Sequence, residues 1–131
     1  MKTKLIAFIL ILVFPLLAFG KENIKITGTY SDLYYNEEGG DLLGCEIRIV
    51  AAKDGYEGTF QMSEGGPDSL LLIKPITVEG DKIKFKIPDE SLYAGEFAGN
   101  ITKNKLEGIL TLKSGNPIKL NLKRGKSYWD K

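Results

Sequence analysis

At 131 residues the chain has room for one domain, and 18 basic against 17 acidic side chains leave it close to neutral. It has no His and a single Cys, so the commonest general base and metal ligand is missing and no internal disulfide can form. Near-neutrality gives no electrostatic reason to expect nucleic acid or an anionic membrane as partner.

Met1-Lys2-Thr3-Lys4 is a basic head, Leu5 to Phe19 is apolar, and Ala18-Phe19-Gly20 places small residues where a leader is cut. Residues 1–20 are therefore expected to be a secretory signal peptide and residues 21–131 the exported domain. The apolar run is interrupted by Pro15 and falls short of the ~20 residues that a spanning helix needs, so no membrane insertion is expected after cleavage. Loss of Lys2 and Lys4 takes the basic residues from 18 to 16 against 17 acids, a net charge of −1. The product is expected to be a monomer, periplasmic or secreted, whose core holds it without disulfides.

From Ile24 onward the chain reads as eight strands of period two. Strand one, Ile24 to Tyr30, alternates Ile24, Ile26, Gly28 and Tyr30 with polar residues. A polar connection, Ser31 to Asp41, follows. Strand two, Leu43 to Ala52, points Cys45, Ile47 and Ile49 one way and Glu46 and Arg48 the other. Lys53-Asp54-Gly55 is a hairpin signal. Strand three, Tyr56 to Ser63, has Tyr56, Gly58, Phe60 and Met62 in register. Strand four, Ser69 to Val78, breaks its own alternation at Lys74-Pro75, which predicts a bulge or an edge kink.

Strand five is the cleanest alternation, with Ile83, Phe85 and Ile87 against Lys82, Lys84 and Lys86. Strand six, Leu92 to Thr102, keeps Gly95, Phe97, Gly99 and Ile101 in register. Lys103-Asn104 turns the chain into strand seven, Lys105 to Lys113, with Leu106, Gly108, Leu110 and Leu112 on one face. Strand eight runs from Ile118 to Arg124. Successive hairpins without any helical period predict an all-β fold, a single eight-stranded antiparallel up-and-down meander closed into a β-barrel. Arg124 shares the parity of Ile118, Leu120 and Leu122 and, with Lys74 at the kink, is the charged exception on an apolar face.

Gly28-Thr29-Tyr30 resembles the Gly-x-Trp of the lipocalin and calycin barrels, with Tyr in place of Trp. In those barrels a basic residue late in the last strand packs over the aromatic ring, and Arg124 stands where that residue would fall. A second resemblance covers nearly the whole of residues 21–131. The order Gly28-x-Tyr30, Asp54-Gly55-Tyr56-x-Gly58, Glu64-Gly65-Gly66-Pro67, Gly80-Asp81-x-Ile83-x-Phe85, Phe97-x-Gly99, Leu106-x-Gly108 and Leu120-x-Leu122-x-Arg124 is similar to small β-barrel domains of exported bacterial proteins. It implies fold and export and brings no activity with it.

Two groups of residues carry the functional expectations. Tyr30, Tyr56, Phe60, Phe85, Tyr93 and Phe97 either fill a core or line a cavity for a small apolar ligand, with the inward glycines leaving space for it. An eight-stranded barrel is just wide enough for either arrangement. Tyr34 and Tyr35, in the Ser31–Asp41 connection beside Glu37 and Glu38, either are solvated or form a recognition patch or lid. The spacing of acids there lacks the calcium-loop pattern. Glu57 and Glu107 have outward parity, which suits solvent better than paired-carboxylate hydrolysis, and Lys82, Lys84 and Lys86 suit an exposed strand kept from edge pairing. Cys45 has the parity of an inert buried thiol, and Tyr128 and Trp129 either pack over a barrel end or fray.

The expected function is an exported binding module and not an enzyme, with no catalytic residue, metal ligand or cofactor. The leading form is a carrier of a small apolar molecule, with Tyr30 and Arg124 near the closed end. The alternative is a protein-interaction or inhibitor-type envelope accessory module working through its loops.

Overall fold

The computed structural model describes residues 23–130, so the expected signal peptide, residues 1–20, lies outside the described residues. Nine strands follow one another without a helix among the described residues: β1 (Gly28–Ser31), β2 (Tyr34–Asn36), β3 (Asp41–Ala52), β4 (Gly55–Gly65), β5 (Leu71–Glu79), β6 (Lys82–Ile87), β7 (Gly95–Ile101), β8 (Lys105–Leu112) and β9 (Pro117–Gly125). Each pairs antiparallel with the next from β3 to β9, and β1 joins the two ends by pairing with both β3 and β9. Eight strands thus close an up-and-down barrel, as the meander pattern predicts, and β2 is a ninth, short addition to β3. The upper end is taken as the one where Lys53 and Asp54 join β3 to β4; the lower end is where Gly40 lies between β2 and β3.

Inward side chains form one contiguous core that includes Tyr30, Ile47, Ile49, Phe60, Ile73, Ile83, Phe97, Ile101, Leu106, Leu110 and Leu122. Burying each is worth about 1.5–3 kcal/mol, which is how a chain without a disulfide holds a barrel closed. Phe85 and Phe97 stack with ring centroids 4.7 Å apart. Cys45 is buried with them, and burial, reinforced by Asp32 and Glu46, pushes its thiol far above the ordinary value, so it stays protonated and unreactive.

The inward glycines serve the packing. A Cβ on Gly99 would sit 2.8 Å from the Phe97 ring tip and 2.1 Å from the Glu107 carbonyl; one on Gly108 would sit 2.7 Å from the same ring tip. The ring of Phe97 therefore lies across the two glycines, and at this point a side chain takes the space that the cavity alternative would leave for a ligand.

The pairing departs from the sequence expectation at four places. Strand one starts at Gly28 and not at Ile24, because the carbonyls of Lys25 and Thr27 are taken by the Arg124 guanidinium and are lost to a ladder. The supposed connection Ser31–Asp41 contains β2. Strand six starts at Gly95, since Leu92–Ala94 turn under backbone and side-chain bonds to Ser91 and leave Leu92 89% exposed.

The fourth departure is in which residues of β5 face the core. The register changes between Tyr56↔Ile76 and Gly58↔Ile73, where Lys74 and Pro75 together oppose Glu57 alone. This is the expected bulge, and its extra residue reverses the parity before it. Leu71 and Ile73 consequently face the core, whereas Leu70 and Leu72, which share the parity of Ile76 and Val78, are 63% and 53% exposed. Beyond Thr77↔Lys84 no pairing joins β5 to β6 among the described residues, and the two strands leave a surface groove of about 370 Å³ lined by Pro75, Lys84, Phe85 and Phe97.

Candidate functional site

The nine residues singled out from the sequence fall into three places. Tyr30, Phe60, Phe85 and Phe97 are buried in the core, and Tyr56 and Tyr93 pack partly buried against it. Phe60 meets Tyr93 with the rings tilted at 59° and centroids 6.4 Å apart. Burial, then a hydrogen bond with Glu64, raises the Tyr93 phenol from the ordinary 10.0 to about 12. Arg124 and Tyr30 form a second unit at the seam where β9 meets β1. Tyr34 and Tyr35 stand apart from all of these on β2.

In the seam unit the guanidinium carbon of Arg124 lies 4.7 Å from the centre of the Tyr30 ring. One terminal nitrogen of Arg124 donates to the Thr27 carbonyl at 2.9 Å and the other to the Lys25 carbonyl, while the Tyr30 hydroxyl donates to the Ile26 carbonyl at 2.7 Å. A late-strand cation over an early-strand aromatic ring is the arrangement expected from the calycin resemblance. Its work here is structural: it fastens the segment ahead of β1 to the barrel.

The β2 unit is built by Asp32. Its backbone N–H donates to the Cys45 carbonyl at 3.0 Å and its carboxylate accepts the Cys45 N–H at 2.6 Å, clamping the chain between β1 and β2 onto β3. Gly44 makes the approach possible: its φ is +110°, and a Cβ there would lie 2.6 Å from the Asp32 carbonyl. The β1–β9 ladder ends at Ser31↔Lys123, and among the described residues β2 then pairs only with β3, through Tyr34↔Leu43, Tyr35↔Leu42 and Asn36↔Asp41. The result is a short hairpin at the lower end with one edge left unpaired among the described residues. Tyr34 and Tyr35 are each 54% exposed, and Glu37 and Glu38 are exposed in the turn.

Sequence reasoning missed what lies beside this hairpin. After β9 the chain doubles back over the outer wall, so Tyr128 and Trp129 lie on neither barrel end. Ser127 donates to one oxygen of Glu46 at 2.5 Å and the Tyr128 N–H to the other at 2.9 Å. Trp129 donates its indole N–H to Gln61 at 2.8 Å, and Asp130 lies 3.7 Å from Arg48. Glu46 has outward parity, yet this strap buries it. Between strap and hairpin runs a cleft of about 560 Å³ lined by Ser31, Leu33, Tyr34, Tyr35, Glu37, Lys126, Ser127, Tyr128 and Asp130. No alternation marks such a strap; the only hint is two aromatics in a polar tail.

A further cleft, of about 610 Å³, opens at the upper end among Ile24, Ile26, Tyr56, Val78 and Asp81. Among the described residues no group of three or more His, Cys, Asp or Glu is placed to hold a metal ion. Glu57 and Glu107 both lie on the outer wall, and Glu107 pairs with Lys105 at 3.0 Å.

Fold and surface together define a closed eight-stranded antiparallel barrel carrying an edge hairpin and an external strap. No family model matches the chain, and neither a curated protein nor a solved structure does. The likeness to calycin barrels accordingly rests on closure, strand number and the Arg124–Tyr30 seam.

Proposed function

We propose that the protein is an exported, calycin-like binding module, without catalytic activity, that recognises an envelope protein through the hairpin formed by β2 and the start of β3. The observation that carries this reading is the exposure of Tyr34 and Tyr35 on an edge strand, while Tyr30, Phe60, Phe85 and Phe97 are packed inside the barrel. Tyrosine offers contact area at low entropic cost, and an unpaired strand edge offers main-chain bonds to a partner. The adjoining cleft against the strap adds a wall for a partner side chain. The packing of Phe97 over Gly99 and Gly108 favours this outer reading over a ligand held inside.

Exchange of Tyr34 and Tyr35 for Ser is expected to abolish capture of a partner from the host envelope while the unfolding midpoint stays put. Undiminished capture by that variant would overturn the reading. A small apolar molecule remains a second reading because the upper cleft, lined by Ile24, Ile26, Tyr56 and Val78, is of ligand size. Native mass spectrometry of protein from its own host, together with a fluorescent fatty-acid probe, tests it; no adduct and no probe binding would end it.

A further inference from the structure

Near-neutrality of the whole chain conceals a division of charge that the topology makes spatial. Residues 23–81, which build β1 to β5, carry eleven acids against four bases; residues 82–126, which build β6 to β9, carry ten bases against four acids. Because β6, β7, β8 and β9 are consecutive neighbours in the barrel, their outward lysines, Lys82, Lys84, Lys86, Lys105, Lys119 and Lys123, share one continuous wall.

The register arranges that wall. Lys84 lies opposite Ala98, Ala98 opposite Ile109 and Ile109 opposite Lys119, so one row across four strands has an apolar centre between two lysines. Ile109 is 50% exposed. The acids on this side are partly spent: Glu107 holds Lys105 at 3.0 Å and Asp89 holds Lys113 at 2.8 Å. Neither Lys84 nor Lys119 enters an ion pair among the described residues. The hairpin at the lower end is the complement, with Glu37, Glu38 and Asp41 around its turn and the half-exposed rings of Tyr34 and Tyr35 behind them.

We propose that the acidic β2–β3 hairpin of one molecule docks on the β6–β9 wall of a second copy, its acids meeting Lys84 and Lys119 and a tyrosine covering Ile109. The proposal rests on the reading of the hairpin as the contact element and names a partner for it. Both halves of the complementarity are present on this one chain. Shape also favours it: two convex barrel walls touch only along a narrow strip, whereas a two-stranded ribbon is slender enough to lie along a wall. Hairpin and wall are different patches, so the contact is heterologous and leaves each pair with a free hairpin and a free wall, and the assembly is open-ended. Its small area makes it weak, and its ionic character makes it salt-sensitive. The monomer expected from the sequence then holds at high ionic strength only.

Sedimentation velocity of the purified protein over a range of concentration and salt is the test, with two charge-reversed variants. One carries Glu37→Lys and Glu38→Lys; the other carries Lys84→Glu and Lys119→Glu. All four positions are exposed, and thermal melts check that folding is intact. The native protein should at least double its average mass, roughly, at low salt and return to single chains at high salt. Each variant alone should stay single, because its hairpin and wall carry like charge. Mixed in equal amounts they should associate again, because each hairpin then faces a wall of opposite charge. Single chains at every condition, or a mixture that fails to recover, would overturn the proposal. So would binding of inorganic polyphosphate that depends on Lys84 and Lys119 without self-association, since it would assign the wall to an anionic polymer. If self-association is absent yet the Tyr34, Tyr35 exchange still abolishes capture of an envelope partner, the hairpin reading stands and only the second copy is wrong.

Discussion

The barrel interior and the β2 hairpin use the same kinds of side chain to opposite ends. Inside, Phe97 stacks on Phe85 and lies across Gly99 and Gly108, so the position of each group is set by several others. On the hairpin, Tyr34 and Tyr35 leave half their surface in water and are held mainly through the backbone ladder to β3. Over-determined aromatics specify a fold; under-determined ones on an edge are free to meet something else. The seam and the strap lie between these extremes, each fixed by a few polar bonds.

That contrast is open to direct attack. Phe97→Ala should cost about 3–5 kcal/mol in urea unfolding, because the glycines beneath the ring cannot collapse into the void. A loss below about 1 kcal/mol would mean a loosely filled interior and would return attention to a ligand inside the barrel. Arg124→Met should cost roughly 2–3 kcal/mol through loss of the charged donors to Lys25 and Thr27 and of the cation over Tyr30. Arg124→Lys should recover only part of this, since a single ammonium cannot reproduce the fork; full recovery would reduce the seam to simple charge.

Glu46→Ala removes the acceptor that anchors Ser127 and Tyr128, and should cost about 1–2 kcal/mol. Because the strap is then released, Trp129 emission should shift to longer wavelength; an unmoved spectrum would show that Gln61 and Arg48 hold the tail without Glu46. In an alkaline titration followed by tyrosine absorbance, Tyr93 should ionise only near pH 12. Its folded value lies above the ordinary 10.0, so the stability it contributes is complete below pH 10.0 and is lost as the pH rises through about 12. Tyr93→Phe should erase this late step and leave the rest of the titration curve. At the small end, Tyr34→Ser with Tyr35→Ser should change stability by no more than about 0.5 kcal/mol. A larger loss would place the hairpin with the core and not with the surface.

Much of the fold was legible in the residues themselves. Alternation located seven of the eight barrel walls to within a few residues, because side chains on a strand point to opposite faces and each face meets either core or water. The misplaced alternation at Lys74-Pro75 marked the bulge, and the parity of Arg124 marked the seam. The candidate site was only half legible: two tyrosines in a polar stretch drew notice, but nothing local shows that Tyr34, Tyr35 and Asn36 pair with Asp41, Leu42 and Leu43 once Asp32 has clamped the chain onto β3.

Sequence alone determined the class, because period-two patterning and turn residues act within a few positions of one another. The tertiary structure alone decided whatever depends on partners far apart in the chain. The ring of Phe97 fills the space over Gly108 because β7 and β8 pair in that register. Leu72 faces water because of a bulge opposite Glu57, and Glu46 is buried because a tail more than eighty residues away folds over it. The charges could be counted from the beginning, but only the consecutive pairing of β6, β7, β8 and β9 turns six scattered lysines into one wall, since an electrostatic surface depends on where charges stand and not on how many there are.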